Sequence, residues 1–268
     1  MSIDYFKKTE SRLFTRDYRK RQRFITSYGI ILFTIKDGEV LYQMCKPRDS
    51  VTYVSFMRGL YTKRQINFFL SLMTNEELNR IKKYSFDELW HDLWYNRNCR
   101  IKTNEYEKAK KKFDENIKKV IENITGMKLK YCDDHMWGFP KGKKLCDKES
   151  TMETAIREFE EETHINPKNI KIVSYIPLTE TYYGSNGKLY KTLYYAAQCD
   201  KILEHEYEYT NTKIREKKEI ISDEVSEIKW LNIDECIKKL SSRPYRQRML
   251  TTLNDTLQGT LLPDKPSP

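Results

Sequence analysis

Five residues carry the chemistry that organises this 268-residue chain: Glu149, Arg157, Glu158, Glu161 and Glu162. A loop, Trp137-Gly138-Phe139-Pro140-Lys141-Gly142, precedes them. A helix is predicted to begin near Ser150, where Ser150 and Glu153 have capping-box spacing. At about 100° per residue, Met152, Ile156 and Phe159 fall on one apolar arc, while Arg157, Glu158, Glu161 and Glu162 fall on another. Arg157 braces Glu161 one turn away, whereas Glu158 and Glu162 repel by a few tenths of a kcal/mol. A helix gains nothing from crowding carboxylates opposite its buried stripe unless a cation sits there. Hard oxygen ligands on a rigid element suit Mg²⁺ or Mn²⁺, which keep several waters and bridge to substrate phosphates. The alternative is a solvated acidic face; the glycine loop, with Glu149 and Arg157 in register, favours the metal.

Glu149, seven residues, then Arg157-Glu158-Phe159-x-Glu161-Glu162-x-x-Ile165 resembles the Nudix box, the signature of hydrolases that cleave nucleoside diphosphates linked to another moiety. The resemblance implies an α/β fold, an α/β/α sandwich with a mixed sheet. It further implies Glu158 and Glu162 as main metal ligands, Glu161 as third ligand or general base, and Glu149 with Arg157 as the pair orienting the helix end. A carbonyl near Gly142 would complete the metal shell, and Lys141 and Lys143 would bind substrate. Glu224 stands where related decapping enzymes place a further carboxylate, an alternative base to Glu161. Two departures stand out: six residues separate Gly142 from Glu149 where the family has five, and His164 replaces the second glycine. The first lengthens a loop. The second asks a histidine to take a helix C-terminal, left-handed position.

The net charge of +10 is unevenly spread. Residues 1–23 carry eight Lys or Arg against three Asp or Glu, residues 58–125 carry fifteen against ten, and the remainder is balanced. A basic surface beside a phosphate-cleaving site implies a polyanionic substrate, with solubility charge as the plainer reading. There is no apolar run long enough for a membrane span and no signal peptide. Six cysteines without C-x-x-C spacing read as reduced thiols in a cytosol-like compartment, and four dispersed histidines argue against zinc.

Ile25 to Phe33 and Val40 to Cys45 read as a hairpin around Asp37-Gly38. Residues 55–127 are expected to form an inserted helical domain, dividing the chain into 1–54, 55–127 and 128–268. Thr74/Glu77 and Ser85/Glu88 have capping-box spacing, and Tyr106, Ala109, Phe113, Ile117 and Ile121 line one face of a helix from Glu105 to Thr125. Its other face carries Lys108, Lys110, Lys111, Lys112, Lys118 and Lys119, candidates for RNA contact together with Arg19, Lys20, Arg21 and Arg23 of the N-terminal arm. Ile170 to Leu178 and Leu189 to Cys199 are predicted strands around Gly184 to Gly187, Glu224 to Trp230 a closing strand, and Ile233 to Leu240 a helix. The tail after Gly259 is expected to be disordered.

The loop with Ala155-Ile-Arg-Glu-Phe-Glu-Glu-Glu162 resembles the mRNA-decapping branch. Thr74-Asn-Glu-Glu and Phe86-Asp-Glu-Leu-Trp90 resemble the decapping Nudix proteins of large cytoplasmic DNA viruses, the African swine fever virus type. The likeness implies cap cleavage that releases methyl-GDP and leaves a 5′-monophosphate end, on capped RNA in the host cytoplasm, with no stable protein partner. Two rivals are a Nudix hydrolase of small polyphosphates and a catalytically silent RNA-binding protein.

Overall fold

The computed structural model describes residues 24–94, 104–126, 137–184, 188–240 and 243–261. The candidate RNA contacts Arg19, Lys20, Arg21 and Arg23 lie outside these residues. Strand β1 (Ile25–Lys36) turns through Asp37 and Gly38, at φ 51° and 72°, into β2 (Glu39–Pro47). Two successive positive φ values are what a two-residue hairpin of matching twist requires, and Asp-Gly supplies them. Short β3 (Lys141–Gly142) pairs with Tyr28 and Gly29 of β1. The remaining strands are β4 (Lys171–Ile172), β5 (Leu178–Tyr183), β6 (Leu189–Gln198), β7 (Glu208–Asn211), β8 (Glu216–Ile220) and β9 (Val225–Leu231). The main sheet runs β4-β6-β1-β2-β9, with β5 on β6, while β7 and β8 form a separate hairpin. It is mixed: β1 and β6 are parallel and the other pairings antiparallel.

The sheet's central strand is apolar on both faces, so both faces must be covered. Ile30 and Leu32 pack with Ala155 and Phe159 of the acidic helix. Ile31 and Phe33 pack with Cys236 of helix α7 (Ile233–Lys239) and with Leu250 and Leu253 of helix α8 (Pro244–Leu261). The result is the expected three-layer α/β/α sandwich. One predicted strand is corrected. Ile170 to Leu178 contributes only Lys171 and Ile172, which pair with the end of β6, and the longer hairpin partner, β5, begins where that prediction ended. Tyr175 and Ile176 are exposed, and Pro177 has no N–H to give a ladder.

Between β2 and β3 the chain makes α1 (Val51–Met57), a 3₁₀ turn at Lys63–Gln65, α2 (Ile66–Ser71), α3 (Asn75–Lys83), α4 (Phe86–Leu93) and α5 (Asn104–Gly126). Both expected capping boxes, Thr74/Glu77 and Ser85/Glu88, are present. These helices enclose their own apolar cluster, including Tyr53, Phe56, Phe69, Trp90 and Phe113. The helical segment opens at N-cap Ser50, ahead of the expected boundary at 55.

The segment is fastened to the sheet by buried charge. Asp49 accepts hydrogen bonds from Arg80 (2.7 Å) and Arg215. Asp92 accepts from Arg80 (3.2 Å) and from the Thr212 hydroxyl (2.6 Å). Arg48 donates to the carbonyls of Asp92 and Leu93, closing the end of α4. Residues 212 and 215 belong to the β7–β8 connection, so three distant stretches meet here.

Burial alone would raise the Asp49 pKa, but Arg215, Arg80 and Arg48 outweigh it and hold the carboxyl well below its ordinary 3.8. A depressed folded-state pKa contributes stability that is present above the ordinary value and lost as pH falls towards the folded one. Asp49→Asn should therefore lower unfolding stability by about 3–5 kcal/mol at neutral pH, because it leaves buried guanidinium groups uncompensated. The gap from wild type should narrow below about pH 4. Urea unfolding at pH 7 and pH 3 checks this; an equal gap at both would show that the charge is not the cause.

Candidate active site

Helix α6 (Thr151–Thr163) carries the acidic face. Its N-cap Ser150 receives the Glu153 N–H while Glu153 accepts the Ser150 N–H, the reciprocal box read from the sequence. It ends at His164, at φ 56°, whose N–H donates to the Glu160 carbonyl (2.8 Å). A histidine thus takes the left-handed position usually given to glycine.

Arg157 is the hub of the helix. Its Nε donates to Glu149 (2.7 Å), Nη1 to Glu158 (2.9 Å) and Glu161 (3.0 Å), and Nη2 to the Lys143 carbonyl (2.9 Å). Glu149 also accepts the Leu145 N–H (2.8 Å), so one guanidinium pins the long loop to the helix. Arg157 and then the Leu145 amide hold the Glu149 carboxyl down to about 2. The loop is anchored from behind by buried Trp137, with Lys229 and Lys239 over its ring at 5.3 and 5.5 Å.

Backbone proximity sets where Glu158 lies. A Cβ on Gly142 would stand 2.0 Å from the Glu158 carboxyl carbon, so any side chain here would displace the Glu158 carboxylate. A turn before β9 brings Glu224 in. Ser222 Oγ donates to the Glu162 carbonyl (3.2 Å), and Arg48 N–H donates to the Glu224 carbonyl (2.8 Å). The resulting cleft of about 320 Å³ is lined by Glu158, Glu161, Glu162, Asp223, Glu224 and, from the β7–β8 hairpin, Glu208, with His164 at its wall.

The electrostatics are those of a site short of positive charge. Burial raises the Glu162 pKa, Lys141 opposes this, and Glu224 and Glu158 add to it. Burial also raises Glu158, against Arg157 and in concert with Glu161 and Glu224. Among the described residues, no three His, Cys, Asp or Glu side chains close into a preformed cage. Glu158 and Glu161 instead turn towards Arg157. A donor set of carboxylates, one of them buried against its own charge, fits a hard divalent cation.

A NUDIX domain model matches residues 127–253. The chain carries a Nudix domain there. A protein described as "Putative mRNA-decapping protein" from Acanthamoeba polyphaga mimivirus is 32% identical over 254 residues, covering 82% of this chain and 66% of that one. The chain thus spans about two thirds of that relative's length. The mRNA-decapping protein g5R of African swine fever virus is 28% identical over 232 residues, covering 81% and 89%. A solved Ap4A hydrolase from C. elegans in a binary complex aligns at TM-score 0.46 and 14% identity, over 87% of this chain and 98% of that one.

Within the Nudix site, the structure brings together Glu149, Arg157, Glu158, Glu161, Glu162, Glu224, Gly142 and Lys141. Lys143 is exposed and enters through its carbonyl. Sequence reasoning passed over Asp223, beside Glu224 and therefore findable, and Glu208, whose hairpin gave no signal. It also missed Lys144, whose ammonium sits 5.7 Å from the Tyr28 ring centre. On α5, Lys108, Lys111, Lys118 and Lys119 are exposed. Lys112 instead donates to the Gly59 carbonyl (2.8 Å) and to that of Tyr61, and Lys110 pairs with Asp87. Those two lysines serve the helical core's own packing.

Gly142→Ala should push Glu158 out of place and weaken Mn²⁺ binding about 10–100-fold, a range typical of disturbed support around metal ligands. Calorimetric titration with Mn²⁺, alongside circular dichroism to verify the fold, tests this. Unchanged affinity would remove Glu158 from the ligand set.

Proposed function

We propose that this chain is a metal-dependent Nudix pyrophosphohydrolase that removes the 5′ cap from RNA, releasing methyl-GDP and leaving a 5′-monophosphate transcript. The carrying observation is the convergence of Glu158, Glu162 and Glu224 on one cleft, in a chain whose relatives include named mRNA-decapping proteins. Glu158 and Glu162 would hold the cation, Mg²⁺ or Mn²⁺, with Glu161 or the Gly142 carbonyl adding to its shell. When bound, the cation neutralises charge on the phosphate oxygens and lowers the pKa of a water.

The chain's own residues do the remainder. Glu224 or Glu161 takes a proton from the attacking water, whose oxygen bonds to phosphorus as the anhydride bond between the α and β phosphates breaks. The charge of Glu224 acts on both Glu158 and Glu162, whereas that of Glu161 acts on Glu158. Glu161 is tied to Arg157 and largely open to solvent. Lys141 sits against Glu162 and is the phosphate contact on that side. Arg157 and Glu149 act as positioning residues for the loop and helix. Among the described residues no helix is long and apolar enough to cross a membrane. The cytoplasm of a host cell, where capped transcripts are translated, is the compartment this reading expects.

RNA beyond the cap is held by the exposed lysines of α5. Replacing Lys108, Lys111, Lys118 and Lys119 with Gln should weaken uncapped RNA binding and flatten its salt dependence by about 0.7 in log–log slope per lost phosphate contact. Anisotropy titrations at several salt concentrations measure both; an unaltered slope would take α5 out of the RNA path.

Hydrolysis of cap-labelled RNA with Mg²⁺ or Mn²⁺ tests the activity directly. Glu161→Gln and Glu224→Gln should each slow methyl-GDP release, the true base by about 10²–10⁴-fold. Absence of methyl-GDP with turnover of dinucleoside polyphosphates would keep the chemistry and overturn the substrate.

A further inference from the structure

A second cavity, of about 530 Å³, opens between β5, β6 and the start of α8 (Pro244–Leu261). Tyr182, Tyr183, Leu189, Arg243 and Tyr245 line it, and none belongs to the carboxylate cleft. Its floor is rigid. Arg246 is fully buried and donates twice to buried Glu180 (2.6 and 2.9 Å), and Tyr182 stacks on Tyr190 with centroids 5.5 Å apart and planes 13° from parallel. Its rim is aromatic, with Tyr183 and Tyr245 exposed to solvent.

The cavity is also positively charged. Glu180 is its one carboxylate and is bound twice by Arg246, and Arg243 lies beside that pair. Burial and the neighbouring Arg246 work against the Arg243 charge and outweigh the support from Glu180. A guanidinium set among tyrosine rings, beside a carboxylate that another arginine already binds twice, matches a ligand with a flat base and an anionic phosphate. The pairing registers give the cavity's place relative to the catalytic site. The end of β5 and the start of β6 lie beside the start of β1, the same end of the sheet at which β3 carries Lys141 and Gly142. A strand leaving one site at that end meets the other around the rim.

We propose that this cavity is a subsite for one unpaired nucleotide of the RNA body, its base stacked on the Tyr182, Tyr183 and Tyr245 surface and its phosphate held by Arg243. A methylated guanine of a cap is the less suitable occupant. It carries positive charge of its own, and its N1 and N2 donors seek a carboxylate that Glu180, held by Arg246, does not offer. This inference rests on RNA being the substrate.

The test uses Arg243→Gln and Tyr245→Ala in the full chain, titrated with uncapped 5′-monophosphate RNA and separately with methyl-GDP, while wild type is assayed for cap release. Tyr245→Ala should weaken RNA binding about 5–100-fold with an unchanged salt slope, and Arg243→Gln should weaken it with a slope smaller by about 0.7. RNA affinity equal to wild type in both variants, with cap release by wild type intact, overturns the subsite alone. Loss of methyl-GDP binding with RNA binding retained would give the cavity to the cap instead and also overturn the assignment. Failure of wild type to release methyl-GDP would count against the function proposed above, independently of these affinities.

Discussion

Like charge gathered where water is scarce is the constraint on which this molecule turns. Burial raises the proton affinity of Glu158 and Glu162, the charge of Glu224 raises both further, and Glu158 adds to the effect on Glu162. A fold tolerates such a cluster only if its members are held from outside. Here Arg157 restrains Glu158 and Glu161, the glycine at 142 admits the Glu158 carboxylate against the backbone, and Ser222 ties the Glu224 turn to the end of α6. The sheet's part is to place β3 and the start of β9 at the same end, so that two loops and one helix face each other. The cluster's unrelieved charge is what suits it to a cation and to the phosphates a cation would bring.

Positive charge in the chain serves two distinct purposes. Arg48, Arg80 and Arg215 are buried and spent on Asp49 and Asp92, and Arg246 is spent on Glu180. The exposed lysines of α5 remain available to solvent and to polyanions. Counting basic residues in sequence does not separate the two groups. Lys112 shows why: it lies in a lysine run yet turns back to cap carbonyls at Gly59 and Tyr61, because the helix phase puts it at the edge of the apolar stripe.

What could be read from sequence was local. The Asp37-Gly38 turn, the capping boxes at Ser150, Thr74 and Ser85, and the left-handed His164 each depend on residues within a few positions of one another. The proposed catalytic set was legible for the same reason, since most of it sits on one helix at fixed spacing. Glu208 reaches the cleft only through the pairing of β7 with β8, whose short charged strands carry no apolar alternation. The apolar positions Met249, Leu250, Leu253 and Leu257 of α8 did have helical spacing, and they complete the core on the far face of the sheet. The stretch from 170 to 178 misled because apolar residues there face outwards; composition alone does not tell which side of a strand is covered.

The Asp49 junction has a bearing on how the chain is made. Asp49 and Arg215 are separated by 166 residues, and Asp92 and Thr212 by 120, yet each pair is in direct contact. The helices from α1 to α5 can gather their aromatic cluster from contacts near in sequence, which is the rapid part of folding. During synthesis from the N-terminus, Asp49 and Asp92 have Arg48 and Arg80 but must await Arg215 before their charge is fully met. That closure lies in the same stretch as Glu208, and just ahead of Glu224. The helical segment therefore locks to the sheet only as the last acidic residues of the cleft are delivered, so an incomplete chain holds a formed lysine face long before it holds a complete site.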